Sequence, residues 1–160
     1  MLLGILSDTH DKLARTRTAI GMLQAEGAQT LIHCGDFVEP EILVPCAILP
    51  VYFVFGNNDV ASQLECAALN LGVNCLGWSG IVELVGKRVG VTHGHSTNEL
   101  RRLEAARPDY ILTGHSHQAH DYRAGGIRFI NPGAIQRARP YTVALLDLAT
   151  DELRLLEVRA

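Results

Sequence analysis

Leu2-Leu3-Gly4-Ile5-Leu6-Ser7-Asp8-Thr9-His10 begins as an apolar run and gives way, within four residues, to a carboxylate and an imidazole. The same change recurs four more times. Thr30 to Ile32 leads into His33-Cys34-Gly35-Asp36, and Val51 to Phe55 into Gly56-Asn57-Asn58-Asp59. Val89 to Val91 leads into Thr92-His93-Gly94-His95, and Tyr110 to Leu112 into Thr113-Gly114-His115-Ser116-His117. Short β-rich runs that end in Gly, Asp, Asn or His read as strands whose carboxyl ends carry a site, the edge at which open α/β sheets bind ligands. Near-continuous apolar strands imply burial on both faces.

Between the first two runs, residues 11–26 predict a helix, with Asp11 as N-cap, Leu13, Ile20 and Leu23 on one face, and Gly27 as terminator. The result is a β-α-β unit. Ala61 to Leu71 and Thr97 to Ala106 predict two further helices, the second ending before Arg107-Pro108. Tight turns then join short strands: Ile81 to Val85 with Arg88 to Val91 through Gly86-Lys87, and His120 to Arg123 with Ile127 to Ile130 through Gly125-Gly126. Tyr141 to Asp147 and Leu153 to Val158 bracket a polar turn at Thr150-Asp151. Parallel and antiparallel strands together predict an α/β fold of two packed mixed sheets with helices outside.

The chain has 160 residues, 48% hydrophobic and 19% charged, as expected for one globular domain spanning residues 1–160. A net charge of -3 supplies no excess of the kind that draws a protein to nucleic acid or an anionic membrane. A short phosphate ligand stays open. The run Met1 to Leu6 stops at Asp8 with no basic leader or cleavage site, and no stretch approaches the roughly 20 apolar residues of a spanning helix. A cytoplasmic address is therefore expected. Cys34, Cys46, Cys66 and Cys75 show no C-x-x-C spacing and read as reduced, mostly buried thiols.

Asp8 and His10 stand two residues apart, so in extended backbone they can point the same way, although Asp8 could equally cap a helix beside an exposed imidazole. His115 and His117 share that spacing, and neutral imidazoles suit a borderline transition metal, though surface histidines could occur so spaced. Asp36 after Gly35 and Asn57 in Gly-Asn-Asn-Asp would each pass for turn residues if met alone. His93 in His-Gly-His is as ambiguous. Together, however, all seven follow strand ends and supply nitrogen and oxygen donors without a thiolate, about enough for two metals sharing a bridging carboxylate.

In order, Asp-x-His, Gly-Asp, Gly-Asn, His-Gly-His and Gly-His-x-His, followed by Asn131-Pro132-Gly133, resemble the small bacterial and archaeal phosphodiesterases of the calcineurin-like metallophosphoesterase superfamily. The resemblance runs from Leu2 to about Arg139. It implies a four-layer α/β/β/α sandwich with a dinuclear site at one edge, manganese being the first expectation and iron, zinc, cobalt or nickel the alternatives. By motif position Asp8, His10, Asp36 and His117 hold one metal, and Asp36, Asn57, His93 and His115 the other. Asp36 is then the bridge. The implied reaction is phosphoester hydrolysis by a metal-bridging hydroxide on a small phosphate ester, most readily a diester.

Many superfamily members have His directly after the Gly-Asn asparagine, where it contacts phosphate and can protonate the leaving group; here that residue is Asn58. An amide donates no proton at neutral pH. Asn58 is expected to hydrogen-bond phosphate without acid catalysis, and His95 is the nearest substitute acid, or else an outer partner of the site. Arg101, Arg102, Arg137 and Arg139 are candidates for the rim. His33 and His120 read as packing or as outer partners of the site. Two other readings compete: a non-catalytic interaction scaffold, since the superfamily includes a retromer coat subunit of similar size, and a nuclease, whose relatives are longer and capped. Association with a second copy stays open.

Overall fold

The computed structural model describes residues 1–159, which form two mixed sheets flanked by helices. In sheet A, β1 (Leu2–Leu6), β2 (Thr30–His33), β3 (Val51–Phe53) and β4 (Asn74–Cys75) run parallel. β10 (Thr142–Asp147) pairs antiparallel with β1, and β11 (Glu152–Glu157) with β10. In sheet B, β6 (Lys87–Thr92), β7 (Tyr110–Leu112) and β9 (Ile127–Asn131) are parallel, with β5 (Ser79–Leu84) and β8 (His120–Ala124) antiparallel at the edges. The α/β sandwich of two mixed sheets is the expected one.

Alternation sorts the side chains into layers. Leu3, Ile5, Ile32 and Leu146 of sheet A meet Val89, Val91, Leu112 and Ile130 of sheet B in the core between the sheets. On the outer face of sheet A, α1 (Leu13–Ala25) sets Ala19, Ile20 and Leu23 against Leu6, Leu31 and Leu145. Two further helices, α2 (Leu43–Cys46) and α3 (Ala61–Leu71), cover Phe53 and Phe55. The outer face of sheet B carries α4 (Thr97–Ala106), with Leu103 on Ile111, Ile127 and Phe129. That gives the layer order helices, sheet, sheet, helix. Among the described residues no helix is long and apolar enough to cross a membrane.

Several local expectations need correction. Asp11 is no N-cap: α1 starts at Leu13 after Lys12, and the Asp11 carboxylate instead accepts from the Glu39 N–H at 2.9 Å. β3 ends at Phe53 because the Phe55 N–H turns to the Gly77 carbonyl. In the first hairpin Leu84 pairs with Lys87, so its turn is Val85-Gly86, both at positive φ, rather than Gly86-Lys87. Hairpin twist demands that backbone hand, and Val85 accepts it at a steric cost. The thiols are all free, but only Cys34 and Cys46 are buried. Cys66 lies on the outer side of α3, away from buried Leu64 and Ala68. The 3-10 turn Pro40–Ile42, α2 and the two-residue β4 had no pattern long enough to be read.

Leu146 is fully buried between the sheets, whereas Leu155 is 48% exposed. Leu146→Ala is expected to cost about 2–5 kcal/mol in urea unfolding, and Leu155→Ala about 0.5 kcal/mol or less.

Candidate metal centre

The parallel strands of both sheets end at one edge, and the loops after β1, β2, β3, β6 and β7 deliver the predicted residues there. Asp8, Asp36 and His93 are buried and His10 and His117 half-buried. The Asp36 Oδ2 atom lies 3.4 Å from His10 Nε2 and 3.5 Å from His93 Nε2. Asp8 Oδ1 lies 3.1 Å from His117 Nε2, 3.8 Å from His10 Nε2 and 4.0 Å from His93 Nε2. Donor atoms of Asp8, His10 and His117, and those of Asp8, Asp36 and His93, fall within 4.8 Å of one another.

Three of these atoms, Asp8 Oδ1, His10 Nε2 and His93 Nε2, are buried and have no hydrogen-bond partner. Leaving such groups unmatched costs about 1–3 kcal/mol each, so their convergence calls for a cation. A set of carboxylate oxygens and imidazole nitrogens without thiolate is one that a divalent metal satisfies.

His115 and Asn57 sit less deeply. The His115 ring is exposed, 5.1 Å from the His93 ring, and its backbone N–H reaches Asp8 Oδ2 at 3.1 Å. Asn57 is exposed in the β3 loop, and the side chain that touches Asp36 is its neighbour's: Asn58 donates through Nδ2 to Oδ2 at 2.7 Å and through its backbone N–H to Oδ1 at 3.0 Å. His95 is exposed with its ring 5.8 Å from Trp78. Arg102 is held by Ser79 and Glu99 beside α4, while Arg101, Arg137 and Arg139 are exposed.

Close approach explains the glycines in the motifs. A Cβ on Gly56 would stand 2.1 Å from Asp36 Oδ1, and one on Gly114 would stand 1.9 Å from Ser7 Oγ and 2.7 Å from Asp8 Oδ2. Asp8, His10, Asp36, His115 and His117 all have positive φ, a conformation that non-glycine residues adopt at a cost and that clusters at functional sites.

Burial alone would raise the Asp8 carboxyl, but the imidazoles of His10, His93 and His117 outweigh it and hold it below its ordinary range. Asp36 is likewise held well below, His93 and the two Asn58 donors overriding burial. Burial pulls His93 down, yet Asp36 and Asp8 leave it raised. Its Nδ1 lies 2.8 Å from the Cys34 carbonyl, to which it donates, so Nε2 is the nitrogen turned to the carboxylates.

The sequence reading missed two supports. Asp59 accepts four backbone N–H groups, from Asp36, Phe37, Val38 and Gly56 at 2.7–2.9 Å, and so ties the β2 loop to the β3 loop. The signal is there in Gly-Asn-Asn-Asp, where Asn57 and Asn58 are assigned roles and Asp59 passes for a turn residue. Asn131, fully buried, donates to the Gly114 carbonyl at 2.7 Å and accepts from Gly133 N–H at 2.9 Å, which fixes the Gly-His-x-His loop. His33, expected as packing or an outer partner of the site, does both: it stacks on Phe37, and its Nδ1 accepts from Gly35 N–H. Its Nε2–H then donates to Thr9 Oγ1, which reaches the Asp36 carbonyl.

The family model of the calcineurin-like phosphoesterase superfamily domain matches residues 1–151. The chain belongs to the calcineurin-like phosphoesterase superfamily. A phosphodiesterase of Methanocaldococcus jannaschii is 31% identical over 142 residues, 83% of each chain. A solved archaeal phosphodiesterase superposes with a TM-score of 0.88 at 29% identity, covering 98% of this chain and 99% of the other. Vps29 of Entamoeba histolytica, solved with zinc, shares the fold at a TM-score of 0.67 and 19% identity, over 99% of this chain and all of the other. With relatives named phosphodiesterase and metallophosphoesterase, the chain is an enzyme of the phosphoesterase class, in a family that uses divalent metals.

Replacing Asp59 by Asn would set an NH2 group against backbone donors. We expect Asp59→Asn to lose about 1–3 kcal/mol of stability and to weaken divalent-metal binding in calorimetry, and unchanged metal affinity would show that the two loops hold the site without it. His33 supplies a pH test. Burial pushes its imidazole down to about 3, so between the ordinary 6.5 and that value the unfolded chain binds a proton that the folded chain refuses. Stability therefore falls as pH falls. From pH 6.5, where the unfolded imidazole is half protonated, to pH 5, above the carboxylate range, His33 should make the stability of metal-free protein fall by about 1 kcal/mol per pH unit, and His33→Gln should flatten the slope by that amount.

Proposed function

We propose that this protein is a dinuclear metal-dependent phosphodiesterase, a single-domain cytoplasmic enzyme for small phosphate esters, with manganese as the metal to test first. The reading rests chiefly on the unmatched buried atoms Asp8 Oδ1, His10 Nε2 and His93 Nε2 gathered about Asp36. Asp8, His10, Asp36 and His117 would hold one ion, and Asp36, Asn57, His93 and His115 the other. The position of Asp36 Oδ2 between His10 and His93 supports the bridging role. Bound there, a pair of divalent ions supplies Lewis acidity to the phosphoryl oxygens and acidifies water as nucleophile.

The chain's own residues decide which esters benefit. Asn58 has no proton to give a departing alkoxide. Partial burial and neighbouring His93 and His115 hold His95 below the ordinary histidine value, which favours its uncharged form at neutral pH. Cys34 is no nucleophile: burial pushes its thiol far up. Leaving groups must depart largely unassisted, which favours aryl esters over alkyl monoesters. Asn58 would reach a phosphate oxygen only by turning from Asp36. The archaeal relatives named as phosphodiesterases support the diester as substrate. The retained ligand set weighs against a purely structural scaffold.

Protein freed of metal and reloaded in turn with manganese, iron, zinc, cobalt and nickel should hydrolyse bis(4-nitrophenyl) phosphate far faster than an alkyl monoester. His117→Ala should lower that rate by more than the about 10- to 100-fold that loss of an outer partner costs. Equal rates on both esters would overturn the leaving-group argument, and inactivity with every metal would favour the scaffold.

A further inference from the structure

Sheet B is covered unevenly. α4 shields Ile111, Ile127 and Phe129 through Leu100 and Leu103, but the edge strand β8 carries Tyr122 beyond this cover, 51% exposed. Tyr122 pairs across the ladder with Phe129, their rings parallel at 5.0 Å, and the His120 ring lies 5.4 Å from it. A cleft of about 190 Å³ opens here, walled by Leu100, Phe129, Tyr122 and His120, and floored by Gly114 and His115.

That floor is shared with the metal centre. The His115 backbone N–H bonds Asp8, and its ring stands 5.1 Å from that of His93. His115 thus borders both the carboxylates and the cleft that Tyr122 lines. The volume falls below the about 300 Å³ at which pockets for drug-sized ligands begin. It suits one flat ring. Aromatic walls favour a π face through stacking, and the only exposed large apolar residue of this cleft, Tyr122, is too little surface for a stable protein interface.

We propose that the Tyr122 cleft is the subsite for a planar aromatic ring on the phosphate ester, so that the natural substrate carries an aryl or heteroaryl group bonded near the scissile phosphorus. The proposal rests on the phosphoesterase reading, yet it concerns binding rather than the ease with which a group departs. Preference for aryl esters thus has two separable origins, the missing acid and the cleft.

Phosphonates separate them, because their P–C bond offers no leaving group. Calorimetry on zinc-loaded protein should find phenylphosphonate binding about three- to tenfold tighter than methylphosphonate. Tyr122→Ala should remove that ratio while leaving methylphosphonate affinity and zinc content unchanged, and Tyr122→Phe should keep it. Equal affinities in the unaltered protein, which needs no variant, would overturn the cleft while leaving the phosphoesterase reading standing. Failure of both phosphonates to bind would overturn both readings. An effect of Tyr122→Ala on sedimentation instead of on phosphonate affinity would give this face to a second copy and overturn the subsite.

Discussion

Two carboxylates, Asp8 and Asp36, are buried side by side at the ends of adjacent parallel strands, and much of the local structure answers to the difficulty of keeping both there. Charges of like sign out of water repel and lose solvation, so each must be matched locally or give up its ionised form. Backbone and amide donors supply part of the match: His115 N–H to Asp8, and the two Asn58 donors to Asp36. Imidazoles of His10, His93 and His117 supply more. Lone pairs still remain on the inner oxygens, and a divalent cation is the group whose charge and radius answer both at once.

Holding charged groups so close needs backbone that can crowd and bend. Glycine at 56 and 114 lets one loop touch the carboxylate of the next, and side chains at positive φ turn Asp8, Asp36 and His117 inward at the strand ends. Such strain persists only where the surroundings overdetermine it. Asp59 and Asn131 hold it from either side, each by hydrogen-bonding backbone groups of a loop that carries candidate ligands. The site is thereby rigid in its floor and open at its rim, where Asn57, His95 and His115 meet solvent.

The strand ends and their five motifs were legible because they depend on local alternation between apolar runs and polar tips. What eluded the sequence was of two kinds. Pro40 to Cys46 and Asn74-Cys75 are too short for a period to emerge, and they owe their form to neighbours such as Phe53. Asp11 and Asp59 look like ordinary cap and turn residues, yet both accept hydrogen bonds from chain far away in sequence, Asp11 from Glu39 and Asp59 from the β2 loop. Local chemistry named the donor and acceptor types. Only tertiary packing chose their partners.

The proposed ligand set would also join the two sheets. Asp8, His10 and Asp36 arrive from sheet A, and His93, His115 and His117 from sheet B, at the edge of the apolar core that otherwise holds the sheets together. His93 crosses this seam by itself, donating from Nδ1 to the Cys34 carbonyl of the opposite sheet while presenting Nε2 to Asp36. A cation bound by ligands from both sheets adds its binding free energy to the folded state alone, since the unfolded chain presents no such cluster. Buried carboxylates that strain the metal-free fold would then become the means by which metal secures it, so the same residues that make the edge electrostatically costly would make the sandwich and its chemistry a single cooperative unit.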